Sequence, residues 1–438
     1  DARRLTGHNI LWDGAGSILD IACTPEEADR LLSYCESEIR RMLDAVGWGD
    51  EDIRHVQLAG GVSIAFSAPI DALYAASAIN EWAWESCDAE FNGNERPDFD
   101  LSVQEIQAAI DEEVNPPLLA LERAARDHGV SFLWDDDDVS VGHGDGSETW
   151  PFRALPDPES LDWSGYADVP TGIVTGTNGK TTTVRIAKHL LQSAGRTVGL
   201  SCTDWVSVND EIIDRDDWSG PGGARMVLRQ PGVNAAILET ARGGLLRRGL
   251  GVETADAALI TNIAEDHLGD FGSQSLDELL NIKWIVSHAV QASGCLVLNA
   301  DDPLLVRKAA GYAGRIVWFS LENDNETVSA HVANGGTAYV LSGGDLVRCE
   351  GRNQQIICAA RDIPLTMNGA AMHNIANALG AAALSEAMGL SLIEITAGLK
   401  TMSQDANPGR SNLFEAGGFK VLVDFAHNPE AVSYTHLT

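Results

Sequence analysis

The stretch Val174-Thr-Gly-Thr-Asn-Gly-Lys-Thr-Thr-Thr183 constrains this chain more than any other. An apolar run, Gly172-Ile173-Val174, leads into it. Gly176 and Gly179 punctuate it, and Lys180, Thr181 and Thr182 then open a segment with Val184, Ile186, Ala187, Leu190 and Leu191 at helical spacing. The order is strand, tight loop, helix. Glycine lets the backbone approach an oxyanion, and the helix start offers unpaired N–H groups and the positive end of a dipole. Lys180 adds a point charge, and a threonine hydroxyl can reach a magnesium ion. Gly176, Thr177, Asn178, Gly179, Lys180, Thr181 and Thr182 together imply a bound nucleoside triphosphate. Only Thr177 and Asn178 separate the glycines, so the loop is shorter than the common phosphate-loop spacing. A surface turn that happens to contain Gly-Lys-Thr would leave the flanking strand and helix unexplained.

After the loop, β-rich apolar runs at 197–201, 235–238, 257–261, 295–298 and 315–319 alternate with helical segments. That alternation predicts a largely parallel sheet covered on both faces, with ligands beyond the carboxyl ends of its strands. Before the loop, Thr24-Pro25-Glu26-Glu27 forms a capping box for a helix whose apolar face runs from Ala28 to Val46. A strand is expected at 62–66, and helices at 69–87 and at 103–127, the latter interrupted at Pro116-Pro117. Asp135-Asp136-Asp137-Asp138 reads as a solvated turn rather than a cation site, because consecutive carboxylates point different ways. The fold class is α/β: an N-terminal α/β domain (1–150), a proline-rich linker (151–170), a central parallel-sheet domain (171–406) and the start of a truncated C-terminal α/β domain (407–438). Residues 321–366 read as a hairpin-rich insertion or an extension of the sheet, and 432–438 do not continue the helix expected there.

Thirty basic against 64 acidic residues give a net charge of −34, which repels nucleic acid and anionic lipid alike. No apolar run is long enough to cross a bilayer and no basic-then-apolar leader is present. The seven cysteines are odd in number and never in a C-x-x-C pair, as expected of reduced thiols. A cytoplasmic protein without nucleic-acid or membrane partners is expected.

Further motifs follow in order. The run at 235–238 delivers Glu239, then Thr240-Ala-Arg-Gly-Gly244; the run at 257–261 delivers Asn262, then Glu265-Asp-His-Leu268. A strand-end carboxylate beside a phosphate loop can hold magnesium, or simply cap a turn. Asn281-Ile-Lys-Trp-Ile285, Asn299-Ala-Asp-Asp-Pro303, His373-Asn-Ile-Ala-Asn377, Pro408-Gly-Arg410 and Asp424-Phe-Ala-His-Asn-Pro429 come next. This series, with the short loop Gly-Thr-Asn-Gly-Lys-Thr-Thr, resembles the Mur ligase family over about 260 residues. The resemblance implies an ATP- and Mg²⁺-dependent ligase joining an amino acid to a carboxylate acceptor such as a peptide or polymer. It also implies Thr181 on the nucleotide's magnesium, and Glu239, His267 and a carbamylated Lys283 on a second metal. Carbamylation would reverse the sign of a buried charge beside that metal; the alternative is a lysine reaching the surface. Asn374 and Asn377 would read adenine, Arg410 would neutralise phosphate, Asp424 would face the ribose and His427 the substrate. Leu238-Glu-Thr-Ala-Arg-Gly-Gly-Leu-Leu246 and Arg3-Arg-Leu-Thr-Gly-His-Asn9 resemble the cyanophycin synthetase branch. That branch carries an ATP-grasp domain where this chain has 151–170. A non-catalytic nucleotide-binding subunit, or a ligase adding another amino acid such as glutamate, are the alternatives.

Overall fold

Residues 1–266 and 275–434 are described by a computed structural model, and among them the largest element is an eleven-stranded sheet. Its order is Glu211–Asp214, Val206–Val208, Val198–Ser201, Ala235–Glu239, Thr171–Thr175, Ala255–Ile260, Val290–Asn299, Ile316–Ser320, Thr337–Ser342, Asp345–Glu350, Asn353–Ala359. The strands from Val198–Ser201 to Thr337–Ser342 pair in parallel, and antiparallel strands finish both edges. The β-rich stretch after 321 is therefore an extension of this sheet and not a separate insertion. The inner strands are apolar and buried on both faces. One face packs on the helices Lys180–Ser193, Met372–Ala387 and Leu392–Thr401, the other on Pro221–Leu228, Leu276–Trp284 and Pro303–Ala309. At about 25 cal/mol per Å², this two-sided apolar burial is the main stabilising term.

Ahead of it, the helix Pro25–Ala45 begins at the predicted capping box. Its buried stripe and the helix Leu73–Asn92 cover one face of a four-stranded antiparallel sheet, Ala2–His8, Asp13–Ala22, Gly61–Ser67 and Ile53–Leu58 in sheet order. The segment expected as one interrupted helix is two, Phe99–Glu113 and Pro116–Asp127, and the Asn115 side chain caps the second by accepting from Leu118 N. A three-stranded sheet of Phe132–Trp134, Asp138–Val141 and Glu148–Pro151 follows.

The proline-rich segment 151–170 is packed. Phe152, Leu161, Trp163 and Tyr166 lie against a small core that includes Leu118, Leu121 and Val139, and Trp163 stacks on His128 with ring centroids 4.6 Å apart. Its aromatic residues give the segment enough apolar surface to bury. The aspartate run is likewise no free turn. Asp135 accepts from Arg229 at 2.5 Å, and Asp136 accepts from Nη1 and Nη2 of Arg4, at 2.6 and 3.0 Å, and from Tyr74 Oη. Arg229 belongs to the central body, so the carboxylates tie the bodies together. The first strand adds backbone bonds: Thr6 N donates to Arg248 O and Leu250 N to His8 O, both at 2.8 Å.

At the far end, Asn412–Ala416 and Phe419–Val423 form a hairpin, and Pro429–Tyr434 is helical. The helix persists past 432 because Asn428 caps it, its Oδ1 accepting from Ala431 N at 2.8 Å. Among the described residues, no helix is long and apolar enough to cross a membrane.

Candidate functional site

The phosphate loop lies at the carboxyl end of Thr171–Thr175, between the neighbouring strands Ala235–Glu239 and Ala255–Ile260. Gly179, with φ +85°, caps the helix Lys180–Ser193, and Gly176 has φ +139°. A Cβ at Gly176 would overlap the Thr261 hydroxyl, and one at Gly179 would overlap Asn377 Oδ1. The glycines thus make room towards the protein behind the loop, where the sequence suggested room for an anion. Asn262 buckles the loop down: its carbonyl accepts from Thr177 N and its Oδ1 from Asn178 N, each at 2.9 Å. Thr261 Oγ1 donates to Asn178 O at 2.6 Å. The first amides of the helix have no carbonyl before them, which leaves them for an anion.

Thr177, Asn178, Gly179, Lys180, Thr181, Thr182, Glu239, Asn374, Asn377, Arg410, Asp424 and His427 all line one cavity of about 900 Å³. Glu239, 1% exposed, accepts from Thr181 Oγ1 at 3.1 Å and from Thr203 Oγ1 at 2.8 Å. Lys180 Nζ donates to Thr177 O at 3.0 Å, across the loop. Arg410 lies 4.4 Å over the Phe425 ring and donates to Asp204 at 3.3 Å. Asp424 accepts from Ser411 N, and Ser411 Oγ in turn meets His373 Nε2. His427 Nε2 is 3.8 Å from Asp266 Oδ1, at the open side.

Gly176 and Lys283 lie behind this cavity rather than in its lining. Lys283, 4% exposed, donates to Gly176 O at 2.7 Å. Burial first, then the neighbouring charges of Lys180 and Arg242, holds its ammonium well below the usual lysine range. His267 falls outside the described residues. The two asparagines expected to read a base are engaged inside the protein. Asn374 donates to Leu365 O at 3.0 Å, and Asn377 accepts from Thr183 Oγ1 and donates to Asn374, so the Asn377 amide braces the loop's helix and the Asn374 amide holds Asn377.

Sequence reasoning missed several partners. Asn428 and Glu430 both bond the Asn178 side chain, at 2.8 and 3.0 Å, and fasten the last helix to the loop. Arg185 is 2% exposed inside an otherwise apolar stripe; that single charge among Val184, Ile186 and Ala187 was the available signal. The Thr181 hydroxyl and Glu239 carboxylate are hard oxygen donors beside a polyanion cradle. They fit a magnesium ion, which they would hold through oxygen. Among the described residues no group of three or more His, Cys, Asp or Glu side chains gathers for a metal.

Part of this chain is similar to known proteins. Residues 174–385 match the Mur ligase middle domain. Cyanophycin synthetase of Crocosphaera subtropica is 40% identical over 263 residues, covering 60% of this chain and 30% of that protein. UDP-N-acetylmuramoyl-L-alanyl-D-glutamate–2,6-diaminopimelate ligase of Bacillus licheniformis is 28% identical over 273 residues, 59% of this chain and 52% of that one. A solved bifunctional folylpolyglutamate synthase/dihydrofolate synthase overlays with a TM-score of 0.45 at 22% identity, over 61% of this chain and 64% of that one. The match spans less than a third of the cyanophycin synthetase's length. The stretch of this chain that carries the glycine loop, strand-end Glu239 and buried Lys283 is thus similar to the Mur ligase middle domain.

Proposed function

We propose that the cavity binds ATP and that the chain belongs to an ATP-dependent carboxylate–amine ligase. A substrate carboxylate oxygen attacks the γ-phosphorus and ADP leaves; an amine then attacks the acyl phosphate and phosphate leaves, giving an amide. The observation that carries the reading is the convergence of Lys180, Arg410 and the Thr181–Glu239 pair on one cavity. Lys180 and Arg410 offset the charge of the transferring phosphoryl group, and the loop amides orient it. Thr181 and Glu239, with His267 and Lys283 as further candidates, would hold magnesium, which when bound spreads the charge of the phosphates. Burial and the neighbouring charges of Lys180 and Arg242 lower the basicity of Lys283, which favours the free amine, the form that carbon dioxide carbamylates. His427, 3.8 Å from Asp266, would accept the proton that the amine loses.

The kinship with cyanophycin synthetase makes arginine and an aspartyl acceptor the first pair to try, ahead of glutamate. The test is ADP release with amino acids and short aspartyl peptides, with Lys180→Ala expected to lose both nucleotide binding and turnover. Nucleotide binding by the wild type with no turnover on any amine would leave a non-catalytic accessory role instead.

A further inference from the structure

Arg410 is not waiting in open space. The carboxylate oxygen Oδ2 of Asp204 accepts from two arginines, Arg185 Nη2 at 2.5 Å and Arg410 Nη2 at 3.3 Å. The two are held unequally. Arg185 is buried on the loop's helix, lies 4.1 Å over the Trp205 ring, and donates to Asn407 Oδ1 and Pro408 O at 3.3 and 3.0 Å. Asn407 in turn donates to Thr182 Oγ1 at 3.3 Å. Arg410 has the longer, weaker bond to the carboxylate, and among the described residues its side chain also meets its neighbour's carbonyl, Gly409 O at 3.4 Å, and the Phe425 ring.

We infer that Asp204 is a parking site for Arg410, and that Arg185 is the fixed counter-ion that lets it give Arg410 up. The inference rests on the ligase reading, in which Arg410 moves onto phosphate. When a phosphate group enters the cavity, Arg410 exchanges one anionic partner for another. Asp204 keeps its short bond to Arg185, so the exchange strands no unpaired charge, which would be costly in a partly buried site. Because Arg185 also grips Asn407 and Pro408, the peptide leading to Arg410 pivots from the helix that carries Lys180. Asp204 and Arg185 are positioning residues: they act on phosphate through Arg410.

The test is a thermodynamic cycle on binding of the non-hydrolysable analogue AMPPNP with Mg²⁺, using Asp204→Asn in the wild-type and Arg410→Ala backgrounds. With Arg410 present, D204N should tighten binding by about two- to fivefold, the range set by a partly exposed ion pair. In R410A the gain should shrink to the small residue left by removing one negative charge. An equal gain in both backgrounds, or none with Arg410 present, overturns the inference. D204N strips the buried Arg185 of its counter-ion, so if it does not fold, Asp204→Glu replaces it; that variant keeps the charge but shifts the carboxylate. Its change in affinity must likewise depend on Arg410, and an unchanged or Arg410-independent affinity overturns the inference. No AMPPNP binding by the wild type would overturn both the inference and the ligase reading, whereas binding without the Arg410 dependence overturns the inference alone.

Discussion

Replacing Gly176 by alanine tests the loop's geometry most directly. Gly176 has φ +139°, a region that a residue with a Cβ occupies only at a cost, and the new methyl would overlap Thr261 Oγ1. Relief requires Thr261 to turn away and abandon its 2.6 Å bond to Asn178 O inside the site. The Asn178 carbonyl keeps Asn262 Nδ2 as a donor at 3.1 Å, so backbone strain of about 1–3 kcal/mol and one lost hydrogen bond, about 0.5–1.5 kcal/mol, together predict a loss of about 1.5–4.5 kcal/mol. That is a large share of the roughly 5–15 kcal/mol that holds a domain together. If the loop moves instead of straining, part of the loss appears as weaker nucleotide binding. Adding Thr261→Ala removes the overlapping hydroxyl, although the alanine Cβ at 176 would still sit 3.0 Å from the Cβ at 261. The double variant should therefore recover about 1 kcal/mol or more relative to the sum of the single effects. Urea unfolding and AMPPNP titration of the four proteins measure both parts. A G176A protein as stable and as tight-binding as the wild type, or strictly additive effects, would refute the placement of the loop against Thr261.

Glu239→Gln keeps the side chain's shape and its neighbours Thr181 and Thr203 but removes the anion; turnover should fall at least about tenfold and need more Mg²⁺, as a titration of rate against Mg²⁺ would show. Lys283→Met should abolish any dependence of turnover on dissolved carbon dioxide, read by comparing degassed with bicarbonate-supplemented buffer. The folded state disfavours the Lys283 proton, so the unfolded chain binds more protons between the lowered folded value and 10.5, and wild-type stability rises with pH across that window. In degassed buffer, urea midpoints of K283M should lack that part of the slope. Asp135→Asn should cost about 1–2 kcal/mol, because Arg229 and the nearby Arg225 lose their carboxylate. Burial raises the Asp135 pKa, but the Asp138 amide and Arg229 outweigh it and hold it below the ordinary value. Its contribution is thus present above the ordinary carboxylate pKa and lost as pH falls through the lowered one, a loss that acid titration of D135N should not show.

The phosphate loop and Glu239 were legible because their signal is local: a strand's end, a glycine, a helix start. The antiparallel hairpin strands after 337 were visible as alternation, but periodicity does not say which edge a strand joins, so insertion and extension could not be separated. The packing of 151–170 was not legible because proline content registers while the stacking of Trp163 on His128 does not. The ties among Arg185, Asp204 and Asn407 join positions up to 222 residues apart, where neither spacing nor propensity carries information. The asparagines at 374 and 377 were found, but their engagement with Leu365 O and Thr183 depends on packing that a motif does not encode.

The backbone bonds from Thr6 and His8 to Arg248 and Leu250 bear on how this architecture can be rearranged. The amino-terminal sheet shares its outermost strand with the stretch that follows Glu239, so the two form one unit of exchange although they are some 240 residues apart. A chimera that grafts a foreign leading domain at 150 or 170 would leave Arg248 and Leu250 facing the wrong edge. A transplant that carries residues 242–250 along with its own first strand would keep the seam intact.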